Sequence, residues 1–150
     1  MMRYKIISLG LLIILFSCKD VNKFSSGSYP NAEVFEIKLP KENVIYKIDS
    51  VKMNTGLQVP PFEWAGRETL LKDKTLQNGY VVFYAFLKES NQIMYFYARE
   101  DGSNKTKIGL ISIQNGLSLG NWQEVNKDLS KEENEQSTKL FKEKIISKIK

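Results

Sequence analysis

Residues 80–99 read YVVFYAFLKESNQIMYFYAR. Two runs rich in Val, Phe, Tyr, Ile and Met flank the polar link Glu89, Ser90, Asn91 and Gln92. Those residue types suit a pleated, half-buried surface, so the pattern is that of a two-stranded hairpin. With the turn centred between Ser90 and Asn91, alternation pairs Leu87 with Met94, Ala85 with Phe96 and Phe83 with Ala98 on one wholly apolar face. The other face pairs Phe86 with Tyr95, Tyr84 with Tyr97 and Val82 with Arg99. A slip of one residue would mix the two sets, so their separation supports the pairing. The second face, with Tyr80, Tyr84, Phe86, Tyr95, Tyr97 and Arg99, joins apolar bodies to polar tips. It suits either a sheet surface packed under a loop or a recognition surface.

Beyond the hairpin, Glu100 to Lys105 has turn chemistry with Asp101-Gly102, and Thr106 to Ile113 (TKIGLISI) reads as a third strand. Either Ile108 and Leu110 or Ile111 and Ile113 face its core, and Gly109 is the candidate bulge. Asn115-Gly116 and Gly120-Asn121 mark turns in a polar loop anchored by Leu117, Leu119 and Trp122. Ser130-Lys131-Glu132-Glu133 has the S-x-x-E form of a capping box and opens a C-terminal helix. Phe141, Ile145 and Ile149, with Ile146 beside them, give that helix an apolar stripe.

On the N-terminal side, Glu33 to Leu39 alternates as a half-buried strand, and Lys41 to about Met53 carries helical spacing that Asn54, Thr55 and Gly56 stop. Leu57 to Gly79 reads as an ordered irregular loop. Pro60 and Pro61 exclude a central strand, Phe62 and Trp64 pin it, and a short strand is expected around Glu68 to Leu71. The order strand, helix, three strands, helix predicts an α+β two-layer sandwich: an antiparallel sheet made of an N-terminal strand and a three-stranded meander, with both helices on one face.

The first residues stand apart. Arg3 and Lys5 precede an apolar run from Ile6 to Phe16 that is shorter than the roughly 20 residues of a membrane span. It ends in Leu15-Phe16-Ser17-Cys18, which resembles a bacterial lipobox, although Phe16 is bulkier than the usual occupant of its slot. The resemblance covers about the first 20 residues. It implies removal of residues 1–17, lipidation of Cys18, and a flexible tether over residues 18–31 ahead of a single domain at 32–150. Lys19 and Asp20 are similar to the charged start of Bacteroidota-type lipoproteins, and the Asn115-Gly116-Leu117, Leu119-Gly120-Asn121-Trp122 loop followed by a charged helix looks like small envelope lipoproteins of that kind. The implied location is the cell envelope, anchored at the outer membrane on its periplasmic side or its surface. More than one acyl chain holds such an anchor stably.

Composition narrows the chemistry. There is no histidine and Cys18 is the single cysteine, which removes intrachain disulfides, histidine-dependent triads and Cys/His zinc sites. No metal site or cofactor is expected. Loss of residues 1–17 takes Arg3 and Lys5 away and lowers the net charge from +5 to +3, with lysines and acids interspersed, so no nucleic-acid footprint is seen. A carboxylate-only hydrolase would have to draw on Glu63, Glu68 and Asp73. Trp64 and Arg67 form either a sugar-stacking or anion-binding corner, or a core anchor with a neighbouring cation. The expectation is a non-enzymatic, lipid-anchored envelope protein. Its domain would bind a protein or glycan partner through the tyrosine face or the 57–79 loop. An immunity protein against a delivered toxin and a carboxylate-dependent hydrolase are the alternatives.

Overall fold

The computed structural model describes residues 29–118 and 120–150; the leader 1–17, Cys18, the tether up to residue 28 and Leu119 lie outside the described residues. The chain runs β1 (Glu33–Ile37), α1 (Lys41–Thr55), β2 (Phe62–Trp64), β3 (Arg67–Thr69), β4 (Lys74–Thr75), β5 (Val81–Leu87), β6 (Gln92–Glu100), β7 (Thr106–Asn115), β8 (Gln123–Glu124), α2 (Lys131–Phe141), a π-helical stretch (Lys142–Ile146) and α3 (Ser147–Ile149). The main sheet has the order β1-β7-β6-β5-β4, with β8 also paired to β7, and its pairs are antiparallel. β2 and β3 form a separate two-stranded sheet. The architecture is the expected α+β sandwich, enlarged by the short strands β4 and β8.

The central hairpin forms with a corrected register. Its loop is Lys88–Asn91, built from a 3-10 turn (Lys88–Ser90) and a left-handed Asn91 (φ 48°), and the strands close on Leu87 opposite Gln92. Ala85 therefore faces Met94, and Phe83 faces Phe96, two residues away from the expected partners. A shift of two preserves side-chain parity, so both faces keep their composition. The observed register places aromatic rings directly opposite each other: Phe83 stacks on Phe96 at 5.3 Å and Tyr84 on Tyr95 at 4.9 Å. Such pairs add about 0.5–1.5 kcal/mol beyond their buried area. Gln92 enters β6 instead of the turn, and its Nε2 donates to Asn115 Oδ1 on β7 (3.2 Å).

Along β7 the register jumps between the pairs Tyr95–Ser112 and Phe96–Leu110, so Ile111 is the extra residue of a bulge. The bulge was expected at Gly109 and lies two residues later. It explains why either phase looked acceptable: Ile108 and Leu110 face the helices before it, and Ile113 faces them after it. Gly109 has a different role. A Cβ there would lie 2.2 Å from Tyr97 Cε1, so the missing side chain lets the Tyr97 ring lie on the β7 backbone.

Both helices cover the apolar face. Val44 and Ile48 of α1 and Phe141, Ile145, Ile146 and Ile149 of the C-terminal helix join Phe83, Ala85, Met94, Phe96, Ile108 and Leu110 in one buried cluster. Phe141 meets Phe96 edge-on at 5.0 Å. The capping box forms: Ser130 Oγ accepts from Glu133 N (3.3 Å), and Glu133 Oε2 accepts from Ser130 N (2.9 Å). The wider π turn re-phases the apolar stripe, so that the adjacent Ile145 and Ile146 are both buried. α1 ends where Gly56 turns left-handed (φ 66°) and donates to Lys52 O. Residues Asn31–Lys150 form one compact unit that supplies the main buried cluster and the smaller one on the opposite sheet face.

Candidate functional site

The residues singled out on the tyrosine face separate by burial. Tyr80, Phe86 and Tyr97 are buried, while Tyr84, Tyr95 and Arg99 are half-buried. Phe86 and Ile93 join Val59 and Phe62 in the smaller cluster, with Tyr84, Leu71, Leu117 and Trp122 packed against it. The loops before β5 and after β7 therefore roof this part of the face. Trp122 stands against Tyr84 (6.1 Å) and Tyr95 (5.9 Å), completing a three-ring group with the stacked tyrosines. Gly116 and Gly120 are tied to Gln114, fully buried on β7: its Nε2 donates to Gly116 O (3.2 Å) and its Oε1 accepts from Gly120 N (3.4 Å). Further along, Arg99 Nη1 donates to the Tyr80 hydroxyl (2.8 Å) and the guanidinium lies over the Tyr80 ring at 5.5 Å. Tyr80 in turn packs edge-on against Tyr97 at 4.9 Å.

The 57–79 segment is more regular than expected. β2 and β3 make a tight hairpin whose two turn residues, Ala65 (φ 50°) and Gly66 (φ 72°), are both left-handed, as a type I′ turn requires. The short strand expected around Glu68 to Leu71 forms at Arg67–Thr69, one residue earlier in its start. Phe62 is buried and holds the base of the hairpin in the smaller cluster. At the tip, Trp64 sits opposite Arg67 and is 56% exposed. The reading of Trp64 as the core anchor of the loop is therefore corrected, and Phe62 has that role. Glu63 and Glu68 face each other across the hairpin on its other side, beside a hollow of about 380 Å³ lined by Pro61, Phe62, Glu63, Gly66 and Glu68.

Asp73, the third carboxylate considered for catalysis, is engaged elsewhere. One oxygen accepts from the Lys52 ammonium and the other from the Tyr84 backbone N–H (2.8 Å). Lys52 is buried on α1 with its ammonium over the Phe83 ring at 5.9 Å. Asp49, one turn earlier, has its carboxyl raised above the usual 3.8. Burial is the main cause and the Asp73 charge the second, with Lys52 pulling the other way. Lys52 had a sequence signal: it follows Val44 and Ile48 at four-residue intervals on the buried stripe, and a lysine there needs a buried anion. Asp73 had none, because its partner is set by the tertiary fold.

Among the described residues there is no group of three or more metal-ligating side chains, and no helix is long and apolar enough to cross a membrane. No protein-family model, curated protein or solved structure matches the chain.

Proposed function

We propose that the chain is a lipid-anchored cell-envelope protein whose domain is a binding module for a protein or glycan partner. The observation that carries the binding reading is the hairpin tip. Trp64 is held out at 56% exposure on a two-residue turn whose base is fixed in the core through Phe62, with Arg67 directly beside it. Trp and Arg are the side chains that most often dominate recognition surfaces, and a pre-ordered hairpin loses little conformational freedom on binding. The half-exposed rings of Tyr84, Tyr95 and Trp122 add a second aromatic surface. Anchoring rests on the Leu15-Phe16-Ser17-Cys18 resemblance to a lipobox.

The test is capture from the native envelope, comparing the wild-type chain with Trp64→Ser/Arg67→Ser. A partner held by the wild type and lost by the variant, with unchanged circular dichroism, is the expected result. Equal recovery by both proteins would remove the hairpin tip from the proposal. Anchoring is tested separately: Cys18→Ala should abolish labelling by radioactive palmitate, and a labelled variant would refute it.

A further inference from the structure

A second surface lies where β1 leads into α1. Ile37 and Leu39 floor a groove of about 410 Å³ whose other lining residues are Glu36, Lys38, Lys47 and Lys150. The one side-chain carboxylate among them is compensated, because Glu36 Oε1 pairs with Lys105 Nζ at 3.3 Å. None of the three lysines appears in the ion pairs of the described residues. Immediately before Lys47, Tyr46 projects from α1 with 75% of its surface exposed.

We propose that this groove is a docking site for the anionic head groups of membrane lipids. Lysines among the lining residues of a groove with an apolar floor offer positive charge to a phosphate attached to a hydrocarbon chain. The phosphate would meet Lys38, Lys47 and Lys150, and the first methylenes would lie on Ile37 and Leu39. The proposed contact extends to the exposed Tyr46 of α1, tyrosine being a residue of membrane–water interfaces. The contact would set how the domain lies on a bilayer. It is independent of Cys18, since it uses only residues of the Asn31–Lys150 unit.

The probe is unlipidated Asn31–Lys150 mixed with vesicles of phosphatidylcholine containing phosphatidylglycerol, or of phosphatidylcholine alone, and read by co-sedimentation at low and high salt. Without Cys18 the segment contains no cysteine, so binding reports the groove and leaves the anchor out. Binding is expected only to the anionic vesicles and should weaken with salt. Each lysine near an anionic surface is worth about a fivefold change in affinity, so Lys38→Gln/Lys47→Gln should bind about 25-fold more weakly. Lys127→Gln/Lys131→Gln, outside the groove lining, should bind as the parent does. In a second readout, a fluorophore on Tyr46→Cys should be quenched by brominated acyl chains. The proposal is overturned by absence of binding to anionic vesicles, or by binding that the Lys38→Gln/Lys47→Gln change leaves intact. It is equally overturned if inorganic phosphate shifts the groove resonances while anionic vesicles do not bind, which would reassign the groove to a soluble anion.

Discussion

Asp73→Ala is expected to be far more damaging than its exposed position suggests. The residue closes two needs at once: it neutralises the buried Lys52, and it accepts the Tyr84 N–H on the outer side of β5. Removing one member of a buried ion pair costs about 3–5 kcal/mol, because the remaining charge stays desolvated. The Asp73 side chain keeps 29% of its surface, so water screens part of that cost. Losing a charge-assisted bond to a backbone N–H is worth about 1.5–3 kcal/mol and overlaps with the first term. Together they give a loss of about 2–4 kcal/mol for Asp73→Ala. Lys52→Met keeps the apolar stem over Phe83 and removes the charge. The double variant Lys52→Met/Asp73→Ala should therefore recover the part due to the unpaired Lys52 charge and keep the part due to the Tyr84 N–H, about 1.5–3 kcal/mol below the parent. Urea titration of Asn31–Lys150 followed by circular dichroism measures all four corners of the cycle. A loss below about 1 kcal/mol for Asp73→Ala, or a double variant no more stable than Asp73→Ala, would refute the reasoning.

Asp49, beside the same pair, binds its proton more readily folded than unfolded, so its ionised form costs stability above the raised pKa and that cost disappears as pH falls below 3.8. Asp49→Asn should accordingly stabilise the domain at pH 7 in urea titration and make no difference at pH 3 or so. Glu133 has the opposite sign. The Ser130 N–H and then its hydroxyl hold the carboxyl below the usual 4.5, so its contribution is present above that value and is lost as pH falls through the lowered pKa. Glu133→Gln should be less stable than the parent at pH 7, with the gap closing in acid, while Ser130→Ala should cost about 1 kcal/mol through the lost helix cap. Gly109→Ala drives a methyl into a Tyr97 ring already flanked by Tyr80. It should lower stability by about 1–3 kcal/mol in thermal or urea unfolding, and an unchanged midpoint would show that the ring moves freely.

The layers were legible because each rests on a period. The alternation in residues 80–99 separated the two sheet faces, and the four-residue spacing of Phe141, Ile145 and Ile149 identified the buried helix stripe. A register error of two residues left both faces unchanged, since period two cannot detect it. Turn position was less legible, because Gln92 looks like a loop residue until Asn115 is seen across the sheet. In the 57–79 segment the two prolines dominated the reading, although the β2–β3 hairpin starts just after them and turns on Ala65-Gly66, a weaker signal than Asn-Gly. At the candidate site, Trp64 and Arg67 could be named, but their exposure depended on Phe62 taking the anchoring place. Three of the face residues, Tyr80, Phe86 and Tyr97, were legible as members of the face and are buried within it.

The closure of the β5 edge connects these observations to the binding proposal. A strand edge with free N–H and C=O groups invites pairing with another chain, and here three devices cover it in succession. β4 pairs with Val81 and Val82, the Asp73 carboxylate takes the Tyr84 N–H, and Leu57 O takes the Phe86 N–H at 2.8 Å. All three come from the segment that carries the β2–β3 hairpin. The contacts that defend the edge also fix both ends of the segment, at Leu57 and at Asp73 to Thr75, and Phe62 fixes the hairpin base between them. The tip is thereby presented from a frame held on three sides. Loosening that frame should weaken recognition even where no contact residue is altered. Asp73→Ala therefore separates the two roles of the segment: a partner bound through Trp64 should be held less tightly by this variant and regained by Lys52→Met/Asp73→Ala only to the extent that the segment re-forms, whereas a partner bound by an unstructured Trp64 would not distinguish them.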